Sequence, residues 1–558
     1  MNRFLAQTRR VVLFFIALTA PVTSAYAEIE PVLVVSVASS DRMMKAVQAL
    51  TATAGAPEFG QLAAMISQPY FRGLDTSRPL GLVVTAEGDE LVPFGFLPVT
   101  DLQLFLSTFE PQLGKPEEVE SDIWKLSGRA TMYCKQEGTW AFIAPSIDAL
   151  RYLPKEPEKL LQELPHEYHV ALRAFVQRVP ESLRQMALDK WQQRLEQEAS
   201  STDSDGALRQ QLAQNQQAHW QALMNELDQV TCGWAVDANQ RQTHFDLALS
   251  AMPGTDTARQ LSSLTKTNSD FASLLDPRAM FLMNGAMDLG KEEIRQAVDL
   301  LELARSRAKA EIEKDENLRE ETGRQLVSEV VDGLFDVVED TVKAGRADSA
   351  VAVHWARQNS ALIAAARIAD GRDLEETLRK FVQLGETEPG FPTVQWNVAQ
   401  QGEVRFHTAR LPLPAGKGPA QVLGASVEIA VGIGPQQAYI GVGPNGLAHL
   451  QQAVAQCAQP GPVEPYQVRI AVGQVLQFFN ALQPNPILED VTRQLGPAKN
   501  RDHIVVHALS TDDQMRYRVV IEEGALMAGG QVGRAASGAR QQTVPTKQGR
   551  RAVKPRSK

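Results

Sequence analysis

The chain has 558 residues, 44% of them hydrophobic, with 56 basic and 66 acidic side chains and a net charge of −10. That length suits roughly two to four domains, and the composition excludes a disordered or collagen-like chain. Three cysteines exclude a disulfide-built scaffold and a Cys-rich zinc or iron–sulfur protein, and the acidic balance argues against a general nucleic-acid binder.

Residues 1–27 read as a secretory signal. Arg3, Arg9 and Arg10 make a positive start, Val11 to Ala20 an apolar run too short for a comfortable span, and Ala25-Tyr26-Ala27 a small-x-small cleavage site before Glu28. Thr8 to Leu13 is a partial twin-arginine pattern with Val12 where Phe is usual, so the general and the twin-arginine routes both stay open. No later apolar run is long enough to span a bilayer. The expectation is a periplasmic or secreted mature chain with no integral membrane span. There, Cys134, Cys232 and Cys457 allow at most one disulfide, and three inert buried thiols are the plainer expectation.

Periodicity gives alternating strands and helices. Val32–Val37 is a strand, followed by a helix capped at Ser39, Ser40 or Asp41. Leu82–Ala86 and Leu91–Leu97 are strands around the turn Glu87-Gly88-Asp89, and Asp101 caps the next helix. Strands follow at Ile123–Lys135 and Thr139–Ala144, a helix starts at Ser146, and Tyr168–Phe175 is a strand. Two Gln-rich helices, Glu181–Glu198 and Ala207–Leu227, precede strands Cys232–Ala238 and Gln242–Ala251 and a helix at Thr255–Leu264. The second half begins with the strand Ala279–Asn284 and long helices at Lys291–Lys314 and Leu318–Ala344. Strands Ser349–Ala356 and Ser360–Ala369 precede a helix from Asp373. Further strands cover Thr393–Ala399, Glu403–Leu411, Ala425–Ile433 and Gln437–Gly443, then a helix Leu447–Ala455. Gln467–Val472 is a strand with a helix after it, and Arg501–Ser510 and Met515–Glu523 close the fold.

The order of elements repeats. Asp101-Leu102, Leu106 and Phe109 match Asp373-Leu374, Leu378 and Phe381; Ala141, Ile143, Leu150 and Leu153 match Ala438, Ile440, Leu447 and Leu450; Tyr168-x-Val170 matches Tyr466-x-Val468. The fold class is therefore α+β: two tandem related units, 28–264 and 265–528, each an antiparallel sheet with helices packed on one face. Helical insertions at 181–228 and 291–345 are expected to join in a central helical subdomain. In the second of them Val327, Val330, Val331, Leu334, Phe335, Val338 and Val342 form a stripe for packing against sister helices, with a protein partner or lipid as the other occupants.

Charge is uneven along the chain. The signal is basic, residues 525–558 carry eight basic residues and no acid, and the body between them is −21. The segment 529–558 reads as a disordered basic tail, either merely solvated or a tether to an anionic surface such as lipid headgroups, envelope polymer or nucleic acid.

Motifs for chemistry are weak. Gly441-Val442-Gly443-Pro444-Asn445-Gly446 fits the dinucleotide pattern G-x-G-x-x-G with Glu464 beyond it, but its strand is joined to the previous one by a tight turn, which makes the pair antiparallel instead of the parallel unit the motif needs. His503 and His507 share one strand face at about 13 Å, too far for one metal. His166-Glu167-Tyr168-His169 lacks the zincin spacing, and His354 reads as a strand residue. Asp332 and Asp336 could be drawn as an acid–base pair but read as helix-surface charge. Cys134 lacks a demonstrable basic partner. No G-x-S-x-G, P-loop or penicillin-binding signature occurs. No residue is assigned as catalytic, cofactor-binding or metal-ligating, and no cofactor is implied.

The export signal, the opening VLVVSVASSDRMMKAVQAL and the repeated strand–helix units with helical insertions resemble uncharacterised exported proteins of planctomycete-type bacteria. The resemblance implies export and carries no activity or functional residue. The functional expectation is an exported, non-enzymatic binding or envelope-associated structural protein. The alternatives are a carrier of a lipid or other apolar ligand, which needs a continuous apolar cavity, and a hydrolase, which needs convergent titratable groups.

Overall fold

A computed structural model describes residues 29–542, apart from 129, 200–220, 222, 265–266, 315–320, 358, 387–389, 415–417, 458, 499 and 512–513. The signal segment, most of the second Gln-rich helix and the end of the basic tail fall outside the described residues.

The first half contains strands β1 (Pro31–Val37), β2 (Leu80–Glu87), β3 (Glu90–Pro98), β4 (Glu117–Glu120), β5 (Ile123–Ser127), β6 (Thr131–Glu137), β7 (Trp140–Ala144), β8 (Val170–Phe175), β9 (Leu227–Asp237) and β10 (Gln242–Ala251). Its helices are α1 (Ser40–Thr53), α2 (Pro57–Ser67), α3 (Leu102–Leu113), α4 (Leu164–Glu167), α5 (Glu181–Ala199) and α6 (Asp256–Ser263). After the short β11 (Thr267–Ser269) come β12 (Phe281–Asp288), β13 (Arg346–His354), β14 (Ala361–Arg367), β15 (Val394–Gln401), β16 (Val404–Pro412), β17 (Ser426–Ile433), β18 (Gln437–Gly443), β19 (Gly461–Val463), β20 (Tyr466–Ala471), β21 (His503–Ser510) and β22 (Gln514–Ile521). The helices of this half are α7 (Lys291–Lys314), α8 (Glu321–Lys343), α9 (Gly371–Gly385), α10 (Gly418–Leu423), α11 (Gly446–Gln456), α12 (Val472–Leu482), α13 (Pro486–Gln494) and α14 (Glu523–Gln542).

Local chemistry explains many boundaries. The Ser39 hydroxyl accepts from the Arg42 amide at the start of α1, and Asp101 accepts from the Leu104 amide at the start of α3. The matching cap in the second half is Asp370, which accepts from the Arg372 amide; Asp373 lies inside the first turn of α9. The hairpin turns at Gly88 and Gly402 place glycine at φ of 62° and 58°, where a side chain would be strained.

All strands except β11 and β19 join one 20-stranded sheet. Its order is β4-β5-β6-β7-β3-β2-β1-β8-β9-β10-β22-β21-β20-β12-β13-β14-β18-β17-β16-β15, antiparallel throughout. Numbered within its own half and with β11 and β19 set aside, each side runs fourth, fifth, sixth, seventh, third, second, first, eighth, ninth, tenth from rim to middle. The expectation of a separate sheet in each unit gives way to one sheet. β10 and β22 pair from Thr243–Ile521 to Ser250–Gln514, which satisfies backbone groups that two separate sheets would leave at open edges.

Helices cross the expected boundary at 264/265 in both directions. The Ser510 hydroxyl donates to the Leu261 carbonyl at 2.8 Å, and the Gln260 amide bonds Glu293. In return α14 lies on the first half: Arg241 pairs with Glu523 at 2.6 Å, and the bare Cα of Gly530 sits against the Ala54 carbonyl. α14 continues to Gln542 and buries Ala528, so the basic tail expected from Gly529 begins as helix.

The two helical insertions do not join among the described residues. α7 and α8 form a hairpin tied by Lys309–Asp332 at 2.8 Å and Arg305–Asp336 at 2.7 Å, and Gly333 of α8 makes room for Thr377 of α9. α5 goes elsewhere, with Ser182 donating to Asp89 in the β2–β3 turn at 2.6 Å. Each half also carries helices at both places: α1–α2 correspond in order to α7–α8, and α5 to α12–α13.

Candidate functional site: the open face of the sheet

Opposed residues of antiparallel neighbours point to the same side of a sheet. Following the pairings across twelve strands from β2 to β18 gives Leu80, Val37, Val170, Trp234, Phe245, Val519, Val506, Val468, Met283, Val351, Ala364 and Ile440. Every position is apolar and none is buried. Phe245 is 47% exposed and Ile440 44%, and Leu82, Leu172, Cys232, Leu247 and Tyr517 on the adjoining row are exposed as well. Trp234 stacks on Phe245 with ring centroids 6.5 Å apart. An antiparallel sheet with one solvated face ordinarily alternates apolar inward and polar outward. Here the outward positions are Val, Leu, Phe and Tyr.

The other side of the same strands is covered. Val34, Phe96, Phe142 and Ala171 pack beneath Leu150, Leu161, Leu164 and Tyr168, while Phe271, Ala350, Tyr439 and Leu450 make the corresponding cluster in the second half. Between these clusters the covered side turns polar. The row crossing β10, β22, β21, β20 and β12 reads Asp246, Arg518, His507, Gln467, Asn284. Asp246 is buried and takes two bonds from Arg518, both 2.7 Å, with Arg516 at 3.6 Å. The Tyr168 hydroxyl donates to it at 2.9 Å, its ring lying where a side chain at Gly233 would be. Burial alone would raise the Asp246 carboxyl, but the bonds from Arg518 and Tyr168 outweigh it and hold it below the ordinary value. Burial and the facing Asp246 carboxylate push the Tyr168 phenol up. This network joins the halves, since Asp246 and Arg518 come from opposite sides of the seam. The middle of the sheet is thus inverted, with ionised groups on its covered side and hydrocarbon on its open side.

The residues singled out in the sequence have structural explanations. β17 and β18 are antiparallel, and the glycines of the G-x-G-x-x-G run are contact points: a Cβ would lie 2.8 Å from the Gly446 carbonyl at Gly441, 2.3 Å from the Ser360 carbonyl at Gly443 and 2.5 Å from the Glu428 carbonyl at Gly446. The amide of Leu447, in the first turn of α11, already donates to Glu428 at 2.9 Å, which fills the place a phosphate would take. His503 bonds Glu522 at 2.8 Å and His507 bonds Glu464 at 3.1 Å. Asp332 and Asp336 are the partners of Lys309 and Arg305. All three cysteines are free thiols. Cys134 is buried, its thiol pushed up to about 12 by burial, whereas Cys232 stands exposed on the open face, so the expectation of three buried thiols fails there. In the α8 stripe Val330 is buried but Leu334 and Val338 are exposed.

Among the described residues no helix is long and apolar enough to cross a membrane, and no group of three His, Cys, Asp or Glu could hold a metal ion. A groove of about 570 Å³ beside α12 and α13 has Trp355, Arg357, Gln477, Asn480, Glu489 and Arg493 in its wall; it is open, and polar and apolar atoms line it about equally. No family model, curated protein or solved structure matches the chain.

Proposed function

We propose that this chain is an exported, non-enzymatic binding protein that holds an apolar ligand, the acyl chains of a lipid, against the open face of its sheet. The observation that carries this reading is the twelve-strand apolar row. At the usual strand spacing it is about 50 Å long, more than the roughly 30 Å hydrocarbon thickness of a bilayer. All its strands are interior to the sheet, so their backbone groups are already paired, and the side chains offer almost no hydrogen-bonding atoms. A protein partner normally brings about one hydrogen bond per 100–200 Å² of interface. Acyl chains require none, and they can lie along an open apolar face, which here takes the place of the enclosed cavity expected of a carrier. An envelope structural role with a protein docked on α8 is the second reading, favoured by exposed Leu334 and Val338.

The halves are further proposed to descend from one duplicated unit. The shared strand order supports this. So do the hairpins β9–β10 and β21–β22, whose registers Asp237–Gln242 and Ser510–Met515 enclose connections of equal length.

The test is extraction of the purified chain with organic solvent, followed by mass spectrometry, and titration with a fluorescent fatty acid. Co-purified lipid and saturable binding are expected. Phe245→Asp with Val519→Asp should weaken binding at least about ten-fold, because each large apolar contact contributes about 1.5–3 kcal/mol. Unchanged binding in that double variant would sink the proposal.

A further inference from the structure

The groove beside α12 and α13 is walled from separate parts of the chain. The turn after β13 brings Trp355 and Arg357, α10 brings Gln421, α12 brings Gln477 and Asn480, and α13 brings Arg493. The walls are held in place. The Ser360 hydroxyl accepts from the Ala356 amide at 3.3 Å and donates to the Ala356 carbonyl at 2.8 Å, which fixes the turn between Trp355 and Arg357. The bare Cα of Gly418 lies against the Leu482 carbonyl, so α10 sits backbone-close on the end of α12. The Asn485 amide donates to the Asn480 side-chain oxygen at 2.8 Å. The half-buried Trp355 ring is set edge-to-face by Phe478, with centroids 5.2 Å apart. At about 570 Å³ the space falls within the usual range for small-molecule sites, about 300–1,000 Å³.

The groups these walls present are unspent. Among the described residues the side chains of Arg357, Gln421 and Gln477 have no hydrogen-bonding or ionic partner, and Asn480 keeps its NH2 end. Arg493 is committed, pairing with Glu489 at 3.4 Å and Asp490 at 3.6 Å. The groove therefore combines a fixed aromatic ring, planar amides and, in Arg357, a positive charge without a counter-ion. We infer that it binds an acidic oligosaccharide, a run of sugar rings carrying a carboxylate. A sugar ring has a C–H face and a hydroxyl rim. Its C–H hydrogens are slightly positive and pack on the negative face of an indole. Each hydroxyl both donates and accepts, and so does each side-chain amide through its NH2 and its oxygen. A guanidinium takes a carboxylate through two parallel hydrogen bonds. The even mixture of polar and apolar atoms suits such a ring, and the open shape lets the saccharide continue past the groove. A nucleotide would also stack on Trp355, but its phosphates would meet Glu489 in the same wall. The inference does not rest on the lipid reading, since the groove shares no residue with the apolar row.

Titration calorimetry of the whole chain with trimers of galacturonic, glucuronic and mannuronic acid tests it, with maltotriose as the neutral probe and AMP as the nucleotide probe. Saturable binding of at least one acidic trimer is expected, at least about ten-fold tighter than maltotriose and weakening with salt. Arg357→Gln should remove that preference and bring the acidic trimer to the level of maltotriose. Gln421→Ala with Gln477→Ala should weaken the acidic trimer at least about five-fold, through the lost amide bonds. These three positions are exposed, so far-UV circular dichroism should stay unchanged in both variants. No saturable binding of any acidic trimer, a preference that survives Arg357→Gln, or undiminished binding in the double amide variant would each overturn the assignment. Tighter binding of AMP than of every trimer would make the groove a nucleotide site and overturn it too.

Discussion

His169, buried just before β8, accepts a hydrogen bond from the Val236 amide on Nδ1 at 3.2 Å, next to Trp234. Burial, aided by the charges of Arg42 and His244, pushes its imidazole down to about 4. An unfolded histidine titrates near 6.5. Between those values the unfolded chain binds the proton and the folded one does not, so stability is full above about pH 6.5 and falls toward about pH 4. His244, His354 and His407 are shifted the same way by burial and add to the slope. His169→Gln should flatten its share, up to about 3 kcal/mol, in urea melts across that range. Asp246 acts lower on the scale: its depressed carboxyl contributes above the unfolded aspartate value near 3.9, and that contribution is lost as pH falls through the folded value. Asp246→Ala leaves Arg518 and Arg516 without their counter-charge and should cost about 3–5 kcal/mol. Adding Arg518→Leu should recover part of that loss, and strictly additive costs in the cycle would refute the pairing.

At the scale of elements, the glycine run between β18 and α11 is decided by packing. Gly443→Ala would press a methyl onto the Ser360 carbonyl, with an expected loss of about 1–3 kcal/mol in thermal or urea unfolding. Gly496→Ala, where nothing lies within 4 Å, is the matched control and should change little. A nucleotide site would show the reverse, with intact stability and a lost ligand. Which helix face an element buries was only partly legible. In α3 the apolar positions Leu102, Phe105 and Leu106 are the buried ones, as periodicity expects. No helix is expected over α2 from the sequence, and its large apolar residues face outward, because Gly60 allows so close an approach to α1 that the small face is the inner one. In α8 the valine stripe is shared between packing on α7 and α9 and open solvent.

At the scale of the whole molecule, the β10–β22 seam makes one cooperative body. The intact chain should unfold in a single calorimetric transition that spans both halves. The fragment 29–264 would expose the β10 edge and lose the Arg518 side chain that balances Asp246. It should therefore self-associate on purification, and a soluble monomeric fragment with a native-like melt would show that the halves are independent domains. The exchange of α6 and α14 across the middle strengthens this expectation, since each half would lose a helix that covers it.

The sequence by itself determined most of the strands, their tight turns and the Asp101 cap, because alternation, glycine at positive φ and Asp before a helix are properties of adjacent residues; it ran β5 and β6 together as Ile123–Lys135 and showed neither α2 nor α13. It also determined the uneven charge and the recurrence of element order. Only the tertiary structure decided that two runs of strands make one sheet, since pairing Phe245 with Val519 joins residues far apart in the chain. It likewise decided which side of that sheet is covered. A segment such as VLVVSV is apolar on both faces and reads as buried on both; whether a helix then lies over Val37 or leaves it open depends on where distant loops fall, and no local pattern encodes that.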